Sequence, residues 1–211
     1  MWSSPIVRRI CGLLMFVLTC VGVTGAEAAP ILIGGSQTWM YDGTTVGCST
    51  CSAMVQFELL TATSLKVSFE NTSTDGQAGL KILTGVGFNT DPNLNSISIL
   101  SQSIEGGKVW KLSNGTGGGS WEIGLFIQGG INSGLDNQSP SLNSGFMILG
   151  WTSPSIGAGG LSIDNSITKF QAAGPNDLSL QAPGIRVTEP GSLALLGMGL
   201  AVLLRRRVSA P

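Results

Sequence analysis

The side chains that could do chemistry are few, and their spacing excludes more reactions than it offers. No histidine occurs among the 211 residues, which removes the Ser-His-Asp hydrolase, the histidine-ligated zinc site and the imidazole acid-base relay together. Cys48-Ser49-Thr50-Cys51 is the one C-x-x-C in the chain. A redox pair of this type needs a helix N-terminus to lower the thiol pKa, whereas Ala53 to Leu60, just downstream, reads as a strand. A zinc ribbon needs a second cysteine pair. In an oxidising compartment Cys48 and Cys51 are therefore expected to form a small local disulfide.

Asn89, Asp91, Asn93 and Asn95 place an oxygen side chain at every second position, as the first half of a calcium loop does. Leu94 stands where such a loop needs glycine and Leu100 where it needs the bidentate glutamate. Asn89, Asp91 and Asn93 are the nearest the chain comes to metal ligands, and the segment reads instead as an Asn/Asp/Pro turn closing a strand near Phe88. Glycoside hydrolysis needs two carboxylates at a set separation. Ten acids lie scattered from Asp42 to Asp177 with no local motif pairing them, so no catalytic residue, cofactor or enzymatic activity is expected. Trp39, Tyr41, Trp110, Trp121 and Trp151 could offer flat faces to sugar rings, but large aromatics normally supply the core of a small β domain.

The elements that must position these residues are strands. Only 11% of residues are charged and 31 are glycine, with single aromatics set between Ser, Thr, Asn and Gly clusters. Leu65, Val67 and Phe69 alternate with Lys66, Ser68 and Glu70, and Trp121, Ile123, Leu125 and Ile127 alternate with polar or small neighbours. Both runs have the period of a half-buried strand. Further strands are expected at Ala53–Leu60, Leu80–Phe88, Ile97–Leu100, Val109–Leu112, Phe146–Trp151, Ser162–Ile163, Ile167–Gln171 and Leu178–Gln181. Pro175 to Thr188, with Pro183-Gly184, reads as a last strand giving way to a spacer. Short strands at this spacing predict an all-β fold, an antiparallel β-sandwich of jelly-roll type, in one domain over 29–186.

The two ends read as addresses. Arg8 and Arg9 precede the apolar run Ile10 to Val23, and Ala26-Glu27-Ala28 follows, which is the pattern of a secretory signal peptide over 1–28, cut before Ala29. A lipid attachment at Cys20 fits less well, because Thr19 stands where a Gly or Ala normally precedes the modified cysteine. At the other end, over 187–211, Thr188-Glu189-Pro190 leads into an apolar run that ends in Arg205, Arg206 and Arg207. Gly191 to Leu204 spans about 21 Å as a helix, short against a hydrocarbon core of roughly 30 Å. The three arginines compensate by reaching the cytoplasmic face, where the positive-inside rule puts them if the body is exported.

Glu-Pro-Gly-Ser-Leu-Ala-Leu-Leu-Gly-Met-Gly-Leu from Glu189, followed by the arginine cluster, resembles the PEP-CTERM tail of Gram-negative bacteria that make extracellular polysaccharide. The same tail appears on some proteins labelled as having an ice-binding C-terminal domain. Thr188 departs from the proline most often found there. The resemblance implies Sec export, an inner-membrane-anchored precursor with a transmembrane helix, and recognition and removal of the tail by an exosortase. It covers the tail alone and leaves the body's activity open.

Between Ala29 and Arg186 ten acids face six bases, which excludes the clustered basic surface of a nucleic-acid binder. Thr61, Thr63, Thr72 and Thr74 form no periodic ladder for ice. The expectation is a non-catalytic protein of the cell surface or of the exopolysaccharide matrix of a biofilm, with extracellular polysaccharide as its partner. The rival is a carbohydrate-binding module or carbohydrate-active enzyme, which two solvent-facing tryptophans beside paired acids would favour.

Overall fold

A computed structural model describes residues 29–74, 82–113, 121–127, 135, 143–173 and 178–187. The expected signal peptide and, beyond Val187, the expected tail lie outside the described residues. Ten strands follow one another: β1 (Ser36–Asp42), β2 (Ser52–Thr61), β3 (Ser64–Asn71), β4 (Ile82–Asp91), β5 (Ser98–Ile104), β6 (Trp110–Ser113), β7 (Ile123–Ile127), β8 (Ser144–Gly150), β9 (Ser162–Ala173) and β10 (Leu178–Val187). Two short 3-10 turns interrupt them, and no α-helix occurs among the described residues.

Period-two alternation is what makes these segments strands. Ala53, Val55, Phe57 and Leu59 of β2 are buried, as are Leu65, Val67 and Phe69 of β3, while Gln56, Lys66 and Ser68 point outward. In β1, Gln37, Trp39 and Tyr41 face inward by the same rule. β4 departs from it, with Ile82 through Phe88 buried on both faces. Its outer face is covered by aromatics that its glycines admit: a Cβ on Gly85 would meet the Phe126 ring, and one on Gly87 would lie 2.9 Å from Trp121.

The strands pair antiparallel in one continuous sheet, in the order β5-β8-β3-β2-β1-β10-β9-β4-β7-β6, nearly closed into a barrel. The pairs β1–β10, β3–β8 and β4–β7 nest one inside another along the chain, as in a rolled-up hairpin. The expected all-β antiparallel architecture is present, and its two facing layers are the two halves of this single sheet. Phe57 of β2 meets Phe88 of β4 edge to face at 4.9 Å, and Phe69 of β3 stacks on Trp110 of β6 at 4.4 Å. The outer strands β5 and β6 approach through Gln102, whose Oε1 accepts the Trp110 backbone N–H at 3.0 Å.

β10 joins the halves by changing partner. Leu178 to Pro183 pairs with β9, and Gly184 to Val187 pairs with β1. The expected spacer at Pro183-Gly184 is thus a corner inside a strand. Proline has no N–H to leave unpaired at such a corner, and Gly184 passes the core rings so closely that a Cβ there would lie 2.6 Å from Tyr41 and 2.9 Å from Trp39. The pieces expected at Ser162–Ile163 and Ile167–Gln171 are likewise one strand, β9. Its register against β4 shifts between Phe88 and Thr90, and this bulge absorbs the exposed Asp164 and Asn165.

The registers put the starts of β1 and β9 and the ends of β2, β4, β8 and β10 at one end of the barrel. The connection from β1 to β2 lies at the other. Between them, buried Tyr41 donates to Ser166 Oγ at 2.5 Å, since Ser166 itself donates to the Gly87 carbonyl. Burial is the larger influence on the phenol and pushes its pKa well above the usual tyrosine range, against the smaller, lowering effect of the Ser166 hydrogen bond. Because the unfolded chain releases this proton near pH 10 and the folded chain does not, stability is expected to fall as pH rises past about 10, by up to about 1.4 kcal/mol per unit. Tyr41→Phe should lose that part of the slope, as read from urea midpoints between pH 8 and 10.5; an unchanged slope would show that Tyr41 ionises freely in the fold.

Candidate functional site

The two cysteines close the end of the barrel opposite the chain termini of the body. Asp42 ends β1 and caps the turn Gly43–Val46, its Oδ1 accepting the Thr44 N–H at 2.8 Å and the Thr44 hydroxyl. These bonds hold the exposed Asp42 carboxyl below the usual carboxylate range. Gly43 donates to the Cys51 carbonyl at 2.8 Å and accepts from the Cys48 N–H at 2.9 Å. Cys48 and Cys51 are joined, with sulfurs 1.95 Å and Cα atoms 5.4 Å apart, and both residues are buried. The pair expected from sequence is a local staple beneath the β1–β2 connection.

Glu122 organises the loop read as a possible calcium site. Its Oε2 accepts the Thr90 N–H at 3.1 Å, its Oε1 accepts the Leu94 N–H at 3.0 Å, and its own N–H is given to Asn89 Oδ1 at 3.0 Å. Asn89 is thus engaged by backbone, while Asp91 and Asn93 are exposed. A carboxylate from the neighbouring segment supplies the negative charge that draws these N–H groups together. Among the described residues no group of three or more His, Cys, Asp or Glu side chains could hold a metal ion. Nothing local in sequence marks Glu122, because its partners lie about 30 positions upstream.

Four of the five aromatics that could offer flat faces to sugar rings are core residues. Trp39, Tyr41, Trp110 and Trp151 are buried, and Trp121 is half-buried over Gly87. The indole N–H groups of Trp39 and Trp151 are spent internally, on Gln37 Oε1 at 2.9 Å and the Pro154 carbonyl at 2.7 Å. Two solvent-facing tryptophans beside paired acids do not occur among the described residues.

A groove of about 310 Å³ instead runs over the outer face of β2, β3, β8 and β5, lined by Gln56, Ser68, Glu70, Ser103, Glu105 and Phe146 among others. The registers Gln56↔Ser68, Ser68↔Phe146 and Ser103↔Phe146 set these side chains in a row across four strands. Lys66 lies 5.1 Å from the centre of the Phe146 ring and 3.9 Å from Glu58. Glu105 accepts the Ser144 N–H at 3.1 Å, which fixes its carboxylate at the groove's edge. A half-exposed ring flanked by amide, hydroxyl and carboxylate groups can stack on an apolar sugar face and hydrogen-bond its hydroxyls. Phe146 and Glu70 carry the only hint in sequence: the polar face of one alternating strand laid beside a second strand.

Thr188, Glu189, Pro190, Arg205, Arg206 and Arg207 lie outside the described residues. The described chain leads up to them through Val187, paired with Thr38, and Arg186, whose Nη2 donates to the Ala29 carbonyl at 3.0 Å. No helix among the described residues is long and apolar enough to cross a membrane. The family model of the PEP-CTERM protein-sorting motif matches residues 186–208. No curated protein and no solved structure matches the chain.

Proposed function

We propose that this chain, which carries at residues 186–208 the PEP-CTERM recognition tail for exosortase processing, is a non-catalytic protein of the cell surface or exopolysaccharide matrix. The matched tail is the observation that carries the reading. It implies an exported precursor that transits a membrane. In the proposed route the Sec machinery exports the body, Leu193 to Leu204 holds the precursor in the inner membrane with Arg205 to Arg207 inside, and an exosortase removes the tail near Thr188 to Pro190. Mass spectrometry of surface material should find a first residue near Ala29 and a last residue between Thr188 and Pro190. Surface protein still ending at Pro211 would refute the processing.

The groove supports a second, compatible reading, a carbohydrate-binding module that retains the body in the polysaccharide. Glu70 and Glu105 border it, and Glu105 already holds the Ser144 amide, which favours binding over acid-base work. Stacking contacts are worth about 0.5–1.5 kcal/mol, so Phe146→Ala is expected to weaken retention on the producer's purified exopolysaccharide roughly 2- to 10-fold. Equal retention of variant and parent would remove the groove from consideration.

A further inference from the structure

Met54 lines the groove and also begins a second feature. Along one register row, Ser144 of β8 stands opposite Glu70 of β3, Glu70 opposite Met54 of β2, Met54 opposite Met40 of β1, and Met40 opposite Ile185 of β10. The first three members line the groove. Met54, Met40 and Ile185 face outward at 37%, 56% and 71% exposure, while the chain neighbours Ala53, Val55, Trp39 and Tyr41 are buried. Directly opposed side chains on one face lie about 5 Å apart, so these three form a continuous apolar shelf that prolongs the groove across β1 to β10. Lone exposed aliphatic residues are ordinary on a protein surface; a row of them leading out of a groove is not.

Charge and chemistry select the occupant. On this wall Glu58, Glu70 and Glu105 set three carboxylates against the Lys66 ammonium, itself 3.9 Å from Glu58, so an acidic polymer is repelled. An uncharged sugar chain offers hydroxyls to Gln56, Ser68 and Glu70 and C–H faces to Phe146 and to the shelf, where the thioethers of Met40 and Met54 adapt to an uneven apolar surface. Five strands span four spacings, about 19 Å, more than one sugar ring covers. Resting on the carbohydrate-binding reading above, we infer that the site is a track: an uncharged polysaccharide lies across the strands, stacked on Phe146 at β8 and laid over Met54, Met40 and Ile185 as far as β10. Such a track takes an internal stretch of a polymer, and its affinity rises with chain length until the shelf is covered.

The test uses the full chain immobilised from polyoxyethylene detergent, with size-graded fragments of the producer's purified exopolysaccharide as probes. Neutral fragments long enough to span the track are expected to bind several-fold more tightly than disaccharides. Met40→Thr with Ile185→Thr, at two exposed positions that leave the core untouched, should remove most of that gain and leave disaccharide binding as in the parent; Met40→Leu with Ile185→Leu should keep the gain. If the threonine variant binds long fragments like the parent while Phe146→Ala weakens them, the track is wrong and the groove stands. If neither variant weakens them, both readings fall. Acidic fragments binding more tightly than neutral ones of equal length would overturn the choice of polymer. A dimer in the same detergent that the threonine variant makes monomeric would assign the shelf to a second copy and overturn the track.

Discussion

Deleting Gly191 to Pro211 is expected to turn a membrane-retained precursor into a soluble, folded periplasmic body. In the proposed topology, carrying Arg205, Arg206 and Arg207 through hydrocarbon would cost on the order of 2.5 to 3.5 kcal/mol each on insertion scales, so three together would hold the C-terminal side in place. The truncated chain keeps every described strand, since the last pair of β10, Val187 with Thr38, precedes the cut. Without exosortase, fractionation should find nearly all of the intact precursor in the membrane pellet and nearly all of the truncated body in the soluble fraction. A truncated body that is misfolded or still membrane-bound would show that the tail is more than an address.

Trp110→Ala is expected to be the most damaging core substitution. Trp110 is fully buried in the short strand β6 and stacks on Phe69 with planes only 6° apart, tying the outermost strand of one half-sheet to the interior of the other. Phe or Trp to Ala in a packed core costs about 3–5 kcal/mol, a large share of the 5–15 kcal/mol typical of whole domains. At about 2–4 °C per kcal/mol for a body of this size, Tm should fall by roughly 6–20 °C. Trp110→Phe keeps a ring against Phe69 and should lose clearly less. Equal losses for the two variants, or a fall under about 3 °C for Trp110→Ala, would show that β6 is dispensable to the barrel.

Strands with one buried and one wet face were legible, because alternation such as Leu65, Val67 and Phe69 against Lys66, Ser68 and Glu70 is a local signal. β1 carries the same signal in Gln37, Trp39 and Tyr41, but a glutamine at an inward position and aromatics that suggested a ligand surface hid it. Pro183-Gly184 reads as a stop because those residues end strands far more often than they bend one between two partners. The disulfide followed from spacing, being a three-residue separation. Glu122 and the Phe146 groove did not, since both exist only once distant segments are laid side by side. The tail was legible in order and composition alone because its motif lies within one short continuous stretch.

The nested pairing of the sheet also sets a timetable. β1, β2 and β3 follow one another along the chain and pair with their sequence neighbours, so these pairings are expected to form first. β3 must then wait for β8, and β1 for β10, the last strand before the tail. Non-local pairings of this kind form late and slowly, and until they form, β1 and β3 present unpaired edges of the sort that join neighbouring chains. On the route proposed above, the barrel is therefore expected to close only when β10 has been exported, just before Leu193 to Leu204 would reach the membrane, so that the body would complete its fold on a short leash before its release.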